Sequence, residues 1–378
     1  MSSITERLNA LGSTNGLSDD KPTIGHLASM YETEMKIREK ACQKIQFSQP
    51  LLYLRVQGII YPNSIVVIQG QKGVHKSRLT ENLCAAFLTT NKIMEFIGFK
   101  ADPLKHYHIV YIDTERNIND QYPYAVQRIK VAAGLESSSN PDNLNTVSLI
   151  EIKREDRFEA ISQYLEDIRR INEGKQIIVV LDVITDCIGS FNDPKESMKL
   201  LDHINKVINR YDITFICVIH ENPNSFGEGK ARGHLGTELI NKATTVISIG
   251  YEKGSNGNFT DLIAMKFLHT RNSKRPEPHY LKYSEKAKGL VVADPSFIQQ
   301  QKELKAGKAQ LGEFKDWLRE NLKGEQAKAE LTEKLTVYFG CSTKTIDTRL
   351  KELAKGDEPF LSFSKKGKEV FYSLYVPF

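Results

Sequence analysis

Residues 64–88 read SIVVIQGQKGVHKSRLTENLCAAFL. A β-branched run over 65–69 stops at Gly70, a glycine-bearing loop follows, and Lys76 and Ser77 open a stretch of helical periodicity. Strand, loop, lysine, hydroxyl and helix in that order wrap backbone N–H groups around phosphates at a helix N-terminus. They also supply a lysine for the β and γ oxygens and a hydroxyl for Mg²⁺. On this reading Gly70, Gln71, Lys72, Gly73, Val74, His75, Lys76, Ser77 and Arg78 form a Walker A loop for ATP, with Lys76 on the phosphates and Ser77 on the metal ion.

One position departs from G-x-x-x-x-G-K-[ST]: His75 stands where the second glycine belongs. A side chain there crowds the phosphates or restricts the backbone, unless its imidazole donates to a phosphate oxygen. Taken alone, the loop also fits a Lys-Ser helix start after a glycine turn that holds no nucleotide.

Outward from this stretch, short β-branched runs alternate with longer amphipathic ones: SIVVIQG, HIVYIDT, TVSLIEI, QIIVVLD, TFICVIH and TVISIGY. The alternation predicts an α/β core, a mostly parallel sheet with helices on both faces. DLIAMKFLH and HYLKYSE are closely spaced and predict antiparallel additions at one edge, with the core closing near Asp294. Residues 1 to about 24 read as a flexible leader and the segment around 24–45 as a helix, so 1–60 precede a core of 61–294. Residues 295–309 read as a polar linker or exposed helix, and 310–378 as a second domain.

A chain of 378 residues exceeds one ordinary domain. Its hydrophobic share of 40% and charged share of 26% argue against wholesale disorder. A net charge of +5 permits a nucleic-acid partner without requiring one. The five cysteines lie far apart with no metal-ligand spacing, which argues against zinc and disulfide frameworks and for a reduced, cytoplasmic setting. No stretch approaches 18 uninterrupted apolar residues, so neither secretion nor membrane spanning is expected.

In open α/β sheets the ligand lies at the carboxyl ends of the strands. QIIVVLD ends in Asp182, suited to holding Mg²⁺ through water. HIVYIDTE ends in Asp113 and Glu115, and a glutamate there can orient and deprotonate the attacking water. TFICVIH ends in His220, suited to sensing the γ-phosphate, with Glu221 a weaker candidate beside it for the water. Each has a plainer alternative, since acidic residues after strands cap helices and single histidines are commonly structural. Their joint placement after consecutive strands favours the site.

VYIDTE, VVLD and VIHENP, following GQKGVHKS in that order, resemble the RecA-like core of hexameric replicative helicases of the DnaB and RepA kind, over about 64–294. The resemblance implies a homo-oligomeric ring, often of six subunits, with ATP between neighbours and single-stranded DNA through the centre. It also implies roles for two further segments. ENPNSFGEGKARGHLGTELINKATTVISI (221–249) resembles the mobile loop and helix that carry DNA-contacting residues, with Lys230, Arg232 and His234 as backbone binders; a solvated basic loop is the alternative. KFLHTRN (266–272) resembles the segment that projects an arginine onto a neighbour's nucleotide. This makes Arg271 the finger, with Lys266 and His269 beside it, although His269 replaces the family's usual lysine. A plain edge-strand arginine is the alternative.

Residues 310–378 show three helical stretches, a glycine turn before the third, and two short runs around Lys365-Lys366-Gly367-Lys368. That order resembles a small winged helix-turn-helix domain. Ser342 or Thr343 would cap the third helix, whose exposed face offers Lys344, Thr345, Thr348, Arg349 and Lys351 to a groove. Lys365, Lys366 and Lys368 on the wing would meet phosphates, and a protein-docking winged helix is the alternative.

The expectation is an ATP- and Mg²⁺-dependent DNA motor serving replication or mobilisation of a plasmid or other mobile element. Its partners would be single-stranded DNA, duplex DNA and replication or mobilisation proteins. Hydrolysis would use Glu115 as base, with Lys76 and Arg271 stabilising charge. A non-hydrolysing DNA-binding adaptor and a recombinase-like ATPase that coats DNA are the two rivals.

Overall fold

The computed structural model describes residues 21–91, 93–222, 229–253, 259–306, 311–355, 359–367 and 369–375. The chain divides into two compact units, Met1–Gln49 and Pro50–Phe378. In the first, helix α1 (Lys21–Ala41) leaves Met30 and Ile37 exposed. Of the leader expected over residues 1 to about 24, residues 1–20 lie outside the described residues and 21–24 already belong to α1.

The second unit opens with strands β1 (Leu52–Leu54), β2 (Gln57–Ile60) and β3 (Ile65–Gly70). Helix α2 (Lys76–Leu88) follows the loop after β3, as the lysine-serine start predicts. Next come β4 (Phe99–Ala101), β5 (Tyr107–Asp113), helix α3 (Gln121–Ala132), β6 (Leu144–Ser148) and helix α4 (Arg157–Ile171). Strand β7 (Gln176–Asp182) leads through a 3₁₀ turn, Ile184–Cys187, to helix α5 (Pro194–Tyr211). Pro194 supplies a preset φ at the start of α5, and the Asp193 side chain caps it by accepting from the Lys195 and Glu196 amides. Strand β8 (Ile213–His220), helix α6 (Gly233–Lys242) and β9 (Thr245–Lys253) complete the parallel part.

Strands β10 (Phe259–Thr270) and β11 (His279–Ser284) are the antiparallel additions expected at one edge, and β12 (Gly289–Val292) adds a further antiparallel strand beside β11. The large sheet runs β12-β11-β10-β9-β3-β8-β7-β5-β6. Neighbouring residues along β3 serve opposite faces. Val66 and Ile68 join α2 and α3 in one hydrophobic cluster, while Ile65 and Val67 join α4, α5 and α6 in the other. Burial on both sides explains the near-continuous apolar runs.

Two boundaries differ from the sequence expectation. Residues 52–60, grouped there with the N-terminal helix, form β1 and β2; these pair with each other, β1 also pairs with β4, and together they bury Leu52, Leu54, Ile59 and Ile60 in the larger cluster. The strand expected at TVSLIEI ends at Ser148, because Leu149 N donates to Asp113 O and Ile152 N to Leu149 O, turning the chain at the end of β5.

Helix α7 (Pro295–Ala306) occupies most of the stretch read as linker or exposed helix. Beyond it lie α8 (Leu311–Asn321), β13 (Gln326–Ala327), α9 (Lys328–Phe339), α10 (Thr343–Leu353), β14 (Leu361–Lys366) and β15 (Glu369–Leu374). Gly340 takes a left-handed conformation after α9, and Ser342 caps α10 by accepting from Thr345 N. The three helices surround a separate hydrophobic cluster with Phe314, Leu331, Ile346 and Leu350, closed by the small sheet β13-β15-β14.

Candidate functional site

The loop of residues 70–77 lies at the carboxyl end of β3, between β8 and β9. Gly70 accepts from Glu221 N at 3.0 Å. A Cβ on Gly70 would stand 2.4 Å from Ile249 O, so only glycine lets the loop leave the sheet so close to β9. Gly73 sits at φ +80°, a region open to glycine, but His75 adopts φ 68° with a side chain attached. The imidazole stacks on Tyr283 and lies 2.7 Å from the Tyr251 hydroxyl.

Lys76 is buried, and its Nζ donates to Gln71 O at 2.7 Å and lies 3.2 Å from His220 Nδ1. Burial lowers the lysine's pKa, opposed by the charges of Asp182, Glu115 and Glu221. Register explains this convergence, because Gly70 pairs with His220 across β3 and β8 and Asp113 with Asp182 across β5 and β7. The strand ends line a cleft of about 1200 Å³ together with the loop, Glu115, Arg116 and Arg232.

Asp182 is 3% exposed. Its Oδ2 accepts from the Tyr111 hydroxyl at 2.8 Å and from Arg116 Nη2 at 3.2 Å, and its carboxylate also takes the Ser77 side chain. Burial raises its pKa despite these donors. The contact between Ser77 and Asp182 fits the magnesium ion that accompanies ATP, since a hydroxyl and a carboxylate at the mouth of a phosphate loop form an all-oxygen donor set.

Asp113 has a different task from its strand-end neighbours. Its Oδ1 accepts from the amides of Glu115 and Arg116, at 3.1 and 2.6 Å, which is the turn-capping alternative. Glu115 instead faces the cleft, with Oε1 3.8 Å from His220 Nε2, within ion-pair range but beyond a hydrogen bond. The His220 side chain, and behind it the charges of Lys76 and Lys72, hold Glu115 below the usual carboxylate range against burial. Glu221 also lines the cleft, and its Oε1 accepts from Gln69 Nε2 and Ser248 Oγ at 2.9 and 2.8 Å. These bonds tie the end of β8 to β3 and β9.

Sequence reasoning passed over Arg116. Its guanidinium reaches Asp113 Oδ2 at 2.5 Å, Glu81 Oε1 at 3.3 Å and Asp182 Oδ2 at 3.2 Å, and it stands over the Tyr111 and Tyr122 rings. Glu81 is held in turn by Arg128 at 2.6 Å. The local signal was an arginine three residues after a strand-end aspartate; its other partners come from β7 and α2, far away in sequence.

The segment after β8 begins and ends on the cleft. Glu221 bridges Ala231, and Arg232 N donates to His220 O at 2.8 Å. Lys230 and Arg232 are exposed, His234 is half-buried, and Arg232 stands over the Phe191 ring at the rim. Residues 223–228 lie outside the described residues.

Arg271 lies at the other end of the sheet. Its amide donates to Thr244 O, and Thr244 N donates to Ile65 O. That places it five residues from Gly70 along β3, roughly 17 Å at the rise of a strand. Its side chain is exposed, with Nε 3.3 Å from His269 Nε2 and Nη2 on Asn241 O. Lys266 pairs with Glu252 at 2.7 Å.

Farther along the chain, Lys344, Thr348 and Lys351 are exposed on α10, and Thr345 and Arg349 are half-buried, with Arg349 paired to Glu352 at 2.8 Å. Lys365 is exposed, Lys366 pairs with Glu325, and Lys368 lies outside the described residues. Among the described residues no group of three or more His, Cys, Asp or Glu is placed to hold a metal ion, and no helix is long and apolar enough to cross a membrane.

A family model described as "AAA domain" matches residues 31–225, just over half of the chain. Among solved structures, one described as an "ATPase Domain" is similar at 12% identity and a TM-score of 0.47, covering 70% of this chain and 98% of its own. No curated protein matches.

Proposed function

This chain belongs to the AAA domain family, and on that premise we propose that it is an ATP-dependent DNA motor of the ring-helicase kind. The observation that carries the reading is the cleft in which Lys76, Ser77, Asp182, Glu115 and His220 meet. The backbone of residues 70–77 and Lys76 bind and orient the triphosphate, and Ser77 and Asp182 would hold the magnesium ion. When bound, that ion would supply positive charge against the negative charge of the phosphates. Glu115, kept ionised by His220 and Lys76, orients the attacking water and takes its proton at a carboxylate oxygen. Hydrolysis, the ring and the action on DNA all belong to this proposal.

DNA would be gripped by Lys230, Arg232 and His234. Their support is the hydrogen bond from Arg232 N to His220 O, which joins the basic segment to a strand end facing the phosphates. Arg271 would serve a neighbouring chain's site, because its position at the far end of the sheet keeps it from its own. The three helices and small sheet of 311–375 suit a winged helix-turn-helix, with α10 offered to duplex DNA. A role in replication or mobilisation of a plasmid or mobile element is the biological extension of this reading.

Displacement of a strand from a forked duplex tests the proposal. ATP should drive it in the wild type and not in Glu115→Gln. ATP turnover without displacement favours a DNA-coating ATPase, and nucleotide binding without turnover favours an adaptor.

A further inference from the structure

The residue that breaks the Walker pattern has a defined place in the fold. His75 carries φ 68°, a conformation that costs a residue with a Cβ more than it costs glycine. Its ring packs against two tyrosines from the strands beside the loop. It stacks on Tyr283 with centroids 5.3 Å apart and planes 13° apart, stands edge-on to Tyr251 at 5.7 Å, and sets Nε2 2.7 Å from the Tyr251 hydroxyl. Tyr251 and Tyr283 belong to β9 and β11, with β10 between them. They are joined to the loop from more than 170 residues away.

We propose that His75 is a positioning residue for the nucleotide, a latch whose clasp on Tyr251 and Tyr283 holds the loop in the left-handed turn that a glycine supplies elsewhere. The inference rests on the reading of residues 70–77 as a phosphate cradle. The half-buried tyrosines lie on the edge side of β3, away from Lys76, Ser77 and Asp182. Of this cluster only His75 lines the cleft.

The test is the affinity for a non-hydrolysable ATP analogue, with KM and kcat for ATP, in Tyr251→Phe, His75→Gly, His75→Ala, the double variant Tyr251→Phe/His75→Gly, and Lys76→Ala. Loss of the hydroxyl should weaken binding about 5-fold in the His75 background. It should have no effect once glycine makes the latch unnecessary. His75→Ala, with the strained turn and no clasp, should bind about tenfold more weakly than His75→Gly. The changes should appear in KM and leave kcat alone.

Equal losses from Tyr251→Phe in both backgrounds, no loss in either, or equal binding by His75→Ala and His75→Gly would overturn the latch. Those results, with binding lost in Lys76→Ala, leave the cradle standing. Undiminished binding in Lys76→Ala would overturn the cradle and the latch together.

Discussion

Lys76 Nζ lies 3.2 Å from His220 Nδ1, so the lysine of the phosphate loop and the end of the next strand share a contact. The other nitrogen of the same ring faces Glu115, and the carbonyl of the same residue takes the Arg232 amide. On the proposed reading, a phosphate that drew Lys76 away would act on Glu115 and on the basic segment through one histidine.

Glu115→Gln is expected to lower kcat by about 10²- to 10⁴-fold while nucleotide affinity stays nearly unchanged. The wild-type base is ionised above its depressed pKa, so kcat should show no acid limb from Glu115 between about pH 5 and 7. Removing the ring in His220→Ala lets burial raise the Glu115 pKa, and an acid limb should move up towards that window. A pH profile of kcat for both proteins decides it; an unmoved limb separates His220 from Glu115.

Arg116 holds three carboxylates, each less than a tenth exposed. Truncation in Arg116→Ala leaves Asp113 and Asp182 without their ion-pair partner, while Glu81 keeps Arg128, and should destabilise the core by about 3–5 kcal/mol. The melting temperature should fall by on the order of 10 °C. Arg116→Lys should recover only part, since one ammonium cannot span the three partners. A melting curve within a degree or two of wild type would show that the cluster relaxes around the loss.

How far the site could be read before the structure depended on the range of each interaction. β3, β5, β7 and β8 are near-continuous apolar runs because both sheet faces are covered, so their ends, and with them Gly70, Asp113, Asp182 and His220, were legible. The end of β6 was not, because it is set by Leu149 N turning to Asp113 O on another strand. The exit of the His75 ring towards Tyr251 and Tyr283 was hidden for the same reason, as was the splitting of roles between Glu115 and Glu221. In the C-terminal segment the helices were legible from local periodicity, the Gly340 turn and the Ser342 cap.

Arg271 is expected to work between chains. Mixing Arg271→Ala with Glu115→Gln should restore ATP turnover above either variant alone, because some interfaces regain both residues. Mixtures no more active than the sum of their parts would contradict the assignment in trans.

Lys230→Ala with Arg232→Ala should weaken single-strand binding and flatten its salt dependence by a slope of about 1.4, the share of two phosphate contacts. Removing 310–378, which has its own hydrophobic cluster, should weaken duplex binding and leave single-strand stimulation of turnover largely intact. Titrations at several salt concentrations check both, and the reverse pattern would make the C-terminal helices the main DNA contact.

Steady-state ATP turnover, measured with and without a single-stranded oligonucleotide, bears most directly on a motor that couples this cleft to DNA. Wild-type protein should turn over ATP and be stimulated by the oligonucleotide. Glu115→Gln should be inactive in both conditions, and the Lys230→Ala variant should keep its basal rate but lose part of the stimulation. Turnover that ignores the oligonucleotide in the wild type, or that survives intact in Glu115→Gln, would contradict it.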